Sequence, residues 1–163
     1  MIRQFSAGGV VYKKVDNEIL YLLRQNSGTS EWTLPKGWLD DASDGVNPGP
    51  MTLGVIRAKE DEIRSSALRE VTEETGVQAK IVSRLGTVQF FFVDHTVQRV
   101  MKTVIFYLME YQNDSDTGYS FETSAVLWVQ KSQAQELLKK RKGEAALITK
   151  AEYMINSGQQ TLL

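Results

Sequence analysis

The 163 residues carry 19 basic and 20 acidic side chains, a net charge of −1 and 42% hydrophobic residues. That size and apolar content fit one domain with a substantial core, and near-neutrality gives no global field for nucleic acid or an anionic membrane. The chain has no cysteine, which excludes disulfides, thiolate metal sites and a cysteine nucleophile. Arg3 is followed by Gln4, Phe5, Ser6 and Ala7, not by an apolar leader segment. The longest apolar run, Val104 to Met109, is too short to span a bilayer. A cytoplasmic location with no membrane partner is the expectation.

Ala7 to Tyr12 is small and β-branched and predicts a strand; Asp16-Asn17 is a turn signal, and Ile19 to Leu23 predicts the second strand of a hairpin. Asn26 to Ser30 is a polar loop, and Trp32 to Leu34 extends the sheet before Pro35. Residues 42–54 hold Pro48, Pro50, Gly45, Gly49 and Gly54 and read as an irregular excursion. Glu60 to Thr75 reads as a helix with Ile63, Ala67, Leu68 and Val71 as its apolar stripe; Gly76 stops it. Ala79 to Val93 and Gln98 to Tyr111 are long strands around a turn at Asp94-His95, and Ala125 to Val129 is another strand. Ser132 to Lys140 and Glu144 to Ile155 are helical. The order predicts a mixed α/β arrangement.

The central helix carries the chemistry. Glu70, Glu73 and Glu74 stand at i, i+3 and i+4 and share one face. Three like charges there repel unless a cation sits among them, and an all-oxygen set suits a hard divalent ion such as Mg²⁺. Such a site serves phosphoryl chemistry, because phosphate oxygens need neutralisation and a bound water becomes a better nucleophile. Arg69 is positioned to fix the rotamer of a neighbouring carboxylate. Read alone, a Glu-Glu pair is compatible with a solvated acidic face.

The segment Arg69-Glu70-Val71-Thr72-Glu73-Glu74-Thr75-Gly76-Val77 resembles the second half of the Nudix box: Arg-Glu-apolar-any-Glu-Glu-any-Gly-apolar. Leu34-Pro35-Lys36-Gly37 resembles the stretch that opens the box, residues 6–11 resemble the family's first strand, and Glu122 followed by Trp128-Val129 resembles its late strand. The resemblance implies an α/β/α sandwich with a mixed sheet over residues 1–163. It implies a Mg²⁺-dependent hydrolase (Mn²⁺ is the alternative ion) in which water attacks a nucleoside diphosphate linked to another moiety. Carried over, Glu70 and Glu74 are direct metal ligands and Glu73 a further one. Gly37 offers a carbonyl, and Glu122 is an additional ligand. The general base is one of these glutamates.

The first half of the box is interrupted. The expected glutamate falls on Asp61, with Glu60 and Glu62 competing for the role of orienting Arg69. The spacer from Gly37 is about 18 residues longer than the family pattern, at roughly residues 41–58, a lengthening that surface loops tolerate because closure entropy grows only logarithmically. This insertion is either a lid over the phosphates or a surface excursion; Met51, Leu53, Val55 and Ile56 point to partial docking.

Lys36, Lys102 and Arg24 are candidate phosphate contacts, each balanced against a surface role. One of the rings of Phe90 to Phe92 is a candidate for base stacking, and His95 reads as a surface residue. The resemblance favours a small-molecule nucleotide polyphosphate, either a dinucleoside polyphosphate or a nucleoside triphosphate. A nucleotide-binding domain without turnover and an RNA 5′-end pyrophosphohydrolase are the alternatives. Nucleic acid beyond such a 5′ end is not expected from the neutral charge. Oligomeric state is not readable.

Overall fold

The computed structural model describes residues 1–40 and 47–161, with side chains described to residue 158. In chain order the strands and helices are β1 (Ile2–Val15), β2 (Glu18–Asn26), β3 (Trp32–Thr33), β4 (Lys36–Trp38), α1 (Glu60–Thr75), β5 (Val77–Val93), β6 (Arg99–Asp114), β7 (Thr123–Val129), α2 (Lys131–Leu137) and α3 (Lys142–Thr161). The β1–β2 turn uses Asp16 and Asn17 at φ 51° and 69°, a left-handed pair that short polar side chains tolerate and that suits a tight hairpin.

The sheet runs β3-β2-β1-β6-β5, with β4 added to β1 and β7 to β2. β1 and β6 run parallel from Ile2↔Val100 to Tyr12↔Glu110, and the remaining pairs are antiparallel, so the sheet is mixed. Alternation along the central strands feeds two cores, as expected for a sheet covered on both faces. Ala7 and Val11 of β1 and Ile105, Tyr107 and Met109 of β6 pack with Ala67 and Val71 of α1. Val10, Tyr12, Val104, Phe106 and Leu108 pack instead with Ala134, Leu147, Ile148 and Ala151 of α2 and α3. The result is the α/β/α sandwich that the family resemblance implies.

α1 has the predicted bounds. Glu60, Asp61 and Glu62 meet the positive end of its dipole, and Glu62 accepts the Lys59 N–H at 3.1 Å. Gly76 takes φ 73° and donates its N–H to the Thr72 carbonyl at 2.8 Å, a left-handed stop that a β-carbon would strain.

The described part of the insertion is held by a polar residue. Buried Thr52 donates Oγ1 to Asp40 at 2.6 Å and accepts the Leu39 N–H at 3.1 Å, and its carbonyl accepts the Phe5 N–H at 2.7 Å. Met51 packs on the α1-side core, but Val55 and Ile56 are 77% and 54% exposed and Leu53 is also exposed. The expected partial docking is thus found at Met51, with Thr52 supplying the polar anchor. Residues 41–46 lie outside the described residues. Among the described residues no helix is long and apolar enough to cross a membrane.

Candidate active site

A cavity of about 490 Å³ gathers side chains from most elements: Glu70, Glu73 and Glu74 of α1, Lys36, Gly37 and Trp38 of β4, Arg24 of β2, Phe90 of β5 and Lys102 of β6. Glu122, just before β7, Arg141, between α2 and α3, and Asp40, Asn26 and Thr33 also line it. All nine sequence-predicted positions come together except Arg69, which acts from behind.

Gly37 fits against Glu70 so closely that a β-carbon there would overlap the Glu70 carboxyl group. Arg69 donates through Nη2 to the Trp38 carbonyl at 2.9 Å and to Glu70 Oε1 at 3.1 Å, and its Nε lies 3.7 Å from Glu73 Oε1. It thereby ties β4 to the acidic face of α1. Burial pushes the Glu70 carboxyl up to about 7; the bond from Arg69 opposes this, and the charges of Glu73 and Glu74 add to it.

Glu74 is 6% exposed and Arg24 3%. Arg24 Nη1 lies 3.3 Å from Glu74 Oε2, while its Nε donates to Thr123 Oγ1 at 3.0 Å and its Nη2 to the Glu122 carbonyl at 2.7 Å. Glu74 Oε1 also accepts the Lys36 N–H at 2.7 Å, and Thr123 Oγ1 donates to the Glu74 carbonyl at 2.7 Å. Burial still raises the Glu74 carboxyl, with Arg24 opposing. Arg24 is neither the phosphate contact nor the surface residue that the sequence offers as alternatives. Its guanidinium is instead committed to Glu74 and to the entry of β7.

Lys36 is nearly buried. Its Nζ donates to Thr33 Oγ1 at 2.5 Å and lies 3.5 Å from Glu144 Oε2. Glu144, 3% exposed at the start of α3, accepts the Leu34 N–H at 2.7 Å and a bond from Arg141 Nη1 at 3.2 Å. Burial lowers the Lys36 pKa and Glu144 raises it. Lys102 faces the same space. Burial and the charge of Lys36 pull its pKa down to about 8, against the pull of Glu74 and Glu70. Among the described residues the Lys102 ammonium has no hydrogen bond or ion pair.

Sequence reasoning missed Glu144 and Arg141. Their link to β3 and β4 spans about 110 residues, and no local pattern marks it. The expected support for Arg69 is corrected. Asp61 is exposed, Glu62 caps the helix, and Glu60 accepts from Tyr107 Oη at 2.9 Å, so none of the three contacts Arg69. Asp61 lies eight residues, about 12 Å of helix, from Arg69. Glu122 is exposed at the cavity rim, and its carboxylate has no protein partner among the described residues. Of the aromatic run, Phe90 reaches the cavity, whereas Phe91 and Phe92 are exposed.

Among the described residues no three carboxylate or imidazole groups already form a closed ligand set. Glu70 is turned to Arg69, and Glu74 to Arg24 and the Lys36 N–H. The donor chemistry nevertheless fits a hard divalent cation. Five carboxylates line the cavity, Asp40, Glu70, Glu73, Glu74 and Glu122, and the charges of Glu73 and Glu74 add to the cost of burying Glu70 as an anion.

The sequence matches the NUDIX domain family over residues 3–151. It is 31% identical over 139 residues to the bis(5'-nucleosyl)-tetraphosphatase (asymmetrical) of Rattus norvegicus, covering 82% of this chain and 80% of that protein. It is 29% identical over 134 residues to MutT4 of Mycobacterium tuberculosis (strain CDC 1551 / Oshkosh), covering 78% of this chain; the chain spans only 46% of that relative's length. The C. elegans Ap4A hydrolase binary complex superposes with a TM-score of 0.63 at 20% identity, covering 94% of this chain and 98% of that one. The NUDIX domain of Shewanella oneidensis NrtR complexed with ADP ribose gives 0.62 at 18% identity, covering 95% and 90%. At these identities the two structures share the fold.

Proposed function

The chain belongs to the NUDIX domain family and is a hydrolase of phosphoanhydride bonds; from that premise we propose that it cleaves a nucleotide polyphosphate, with a divalent cation held in the cleft. The observation that carries this reading is one cavity lined by both signs of charge: Asp40, Glu70, Glu73, Glu74 and Glu122 with Gly37, and the cations Arg24, Lys36, Lys102 and Arg141, of which Lys102 has no ion-pair partner among the described residues. The rat relative, named a bis(5'-nucleosyl)-tetraphosphatase, supports a dinucleoside polyphosphate as the substrate.

Glu70, Glu73, Glu74 and the Gly37 carbonyl would hold Mg²⁺ or Mn²⁺. When bound, the ion supplies charge neutralisation at the phosphates and a more acidic water. The remaining work is the chain's own. Lys102, whose ammonium has no partner among the described residues, holds phosphate oxygens in a partly desolvated space where ion pairing is strong, and Lys36, tied to Thr33 and Glu144, adds positive charge beside it. Arg69 aims Glu70, and Arg24 fixes Glu74. Glu122, whose carboxylate is free of protein partners, accepts the proton of the attacking water as it adds to phosphorus. The anhydride P–O bond breaks and the departing phosphate takes the electron pair.

The test is product analysis with and without Mg²⁺ over nucleoside triphosphates, dinucleoside polyphosphates, nucleotide sugars and capped RNA. The reading expects turnover of the polyphosphates. Ligand binding without turnover on any of them would oppose it.

A further inference from the structure

The insertion returns to the strand it left. β4 is three residues long and pairs with β1, so the chain leaves the sheet after Trp38 with backbone groups still to satisfy. The peptide unit between Trp38 and Leu39 is held at both ends. Its carbonyl accepts Arg69 Nη2 at 2.9 Å, and its N–H donates to Thr52 Oγ1 at 3.1 Å. The next carbonyl, that of Leu39, accepts the hydroxyl of Ser66 on α1. Two of these three grips come from α1 and the third from the insertion.

Thr52 is itself fixed. It is fully buried, its hydroxyl hydrogen goes to Asp40 Oδ1 at 2.6 Å, and its carbonyl accepts the N–H of Phe5 in β1 at 2.7 Å. With its single hydrogen on Asp40, the hydroxyl presents a lone pair to the Leu39 N–H. Asp40 Oδ2 accepts the Met51 N–H at 2.9 Å, and Gly49 lies so close that a β-carbon there would overlap the Asp40 carboxylate. Asp40 lines the cavity, yet both of its oxygens are engaged by the insertion. The Arg69 nitrogen that meets the Trp38 carbonyl also donates to Glu70 Oε1 at 3.1 Å. A peptide unit is planar and rigid, so a rotation that frees its N–H from Thr52 turns its carbonyl away from Arg69. Thr52 therefore reaches Glu70 through one peptide and one guanidinium.

We propose that Thr52 is a positioning residue for the ion-binding carboxylates: by holding the N–H end of the Trp38–Leu39 peptide it sets the carbonyl end that aims Arg69 at Glu70. The insertion thereby carries part of the task that the box pattern gives to Asp61, which is exposed on the first turn of α1. The inference rests on the hydrolase reading above, whose ion-binding residues it concerns, and deepens it.

The test compares the parent with Thr52→Val, which keeps the shape and removes the hydroxyl, and with Thr52→Ser, which restores it. Mn²⁺ binding without substrate is followed by electron paramagnetic resonance, and kcat and KM are measured for a dinucleoside tetraphosphate at saturating Mg²⁺. Thr52→Val is expected to bind Mn²⁺ about tenfold more weakly and to lose about tenfold in kcat, with KM within about threefold of the parent. Thr52→Ser is expected to recover Mn²⁺ affinity and kcat to within about threefold, while its melting temperature stays below the parent's for want of the methyl group. Parental Mn²⁺ affinity in Thr52→Val overturns the proposal. So does a serine variant that loses as much as the valine one, because packing alone would then account for both. Should Thr52→Val not fold, the parent decides: by linkage, Mg²⁺ must slow hydrogen exchange at the Leu39 amide more than at the Ile148 amide of α3, and equal slowing overturns the coupling. A parent that binds Mn²⁺ without hydrolysing the tetraphosphate defeats the hydrolase reading alone, and the Mn²⁺ and exchange results still decide the role of Thr52.

Discussion

The backbone of Gly37 lies against the carboxyl group of Glu70, with no room between them for a β-carbon. This contact connects the strand that opens the box to the helix that closes it, across a spacer longer than the family pattern. Gly37→Ala is therefore expected to displace the Glu70 carboxylate by about the width of a methyl group. Misplacement on that scale lowers kcat/KM by roughly 100-fold. Steady-state kinetics beside a thermal melt check this; an alanine variant with parental activity contradicts the role given to the contact.

Glu70 also sets a pH dependence. Its carboxyl sits at about 7 in the folded chain against an ordinary 4.5. Between those values the folded state binds more protons than the unfolded one, so stability falls as pH rises from 4.5 to 7 and stays low above. Without divalent ions, Glu70→Gln removes that loss. The variant is expected to exceed the parent by on the order of 1–3 kcal/mol at pH 8, and the gap is expected to close near pH 4. Denaturant midpoints in a chelator at the two pH values measure it, and a gap that does not widen with pH goes against the assignment.

Arg24 distinguishes a positioning role from substrate contact. Removing its guanidinium leaves Glu74 buried and unpaired, which costs about 3–5 kcal/mol. Arg24→Lys cannot reproduce bonds to Glu74, Thr123 and the Glu122 carbonyl together, and it should recover only part of that loss. Urea unfolding of both variants checks the order. A raised KM with unchanged stability would return Arg24 to the phosphate-binding role.

Lys102 should behave in the opposite way. Its ammonium is buried without an ion-pair partner, so Lys102→Met should leave the melting temperature unchanged or higher. KM for a polyphosphate should rise about tenfold at pH 7, the effect expected of one charge-assisted contact. With its pKa near 8 the ammonium is charged below that pH and neutral above, so the parent's advantage in KM should fade as pH rises through 8. KM measured from pH 6.5 to 9 reads this directly.

The most legible parts of the sequence were those governed by local chemistry. α1 was bounded by acidic residues at one end and a glycine at the other, and both signals act within one helical turn. The gathering of Glu70, Glu73 and Glu74 followed from helical spacing alone. The partners of those glutamates were not legible. Arg24 reaches Glu74 across the sheet, and Glu144 supports Lys36 from a helix that starts over a hundred residues later. The partial docking of the insertion was legible, but not its anchor. Composition identifies four apolar residues without saying which of them points inward; Met51 does, and the segment is anchored largely by the hydroxyl and backbone of Thr52.

The central claim is that the carboxylates and the lysines lining one cavity together hydrolyse a nucleotide polyphosphate. It is tested most directly by the initial rate of dinucleoside tetraphosphate hydrolysis in Mg²⁺ for the parent and for Glu70→Gln, with products resolved chromatographically. The account predicts Mg²⁺-dependent turnover by the parent and a loss of at least about 100-fold in the variant. Turnover that is unaffected by chelation or by the loss of the Glu70 carboxylate would contradict it.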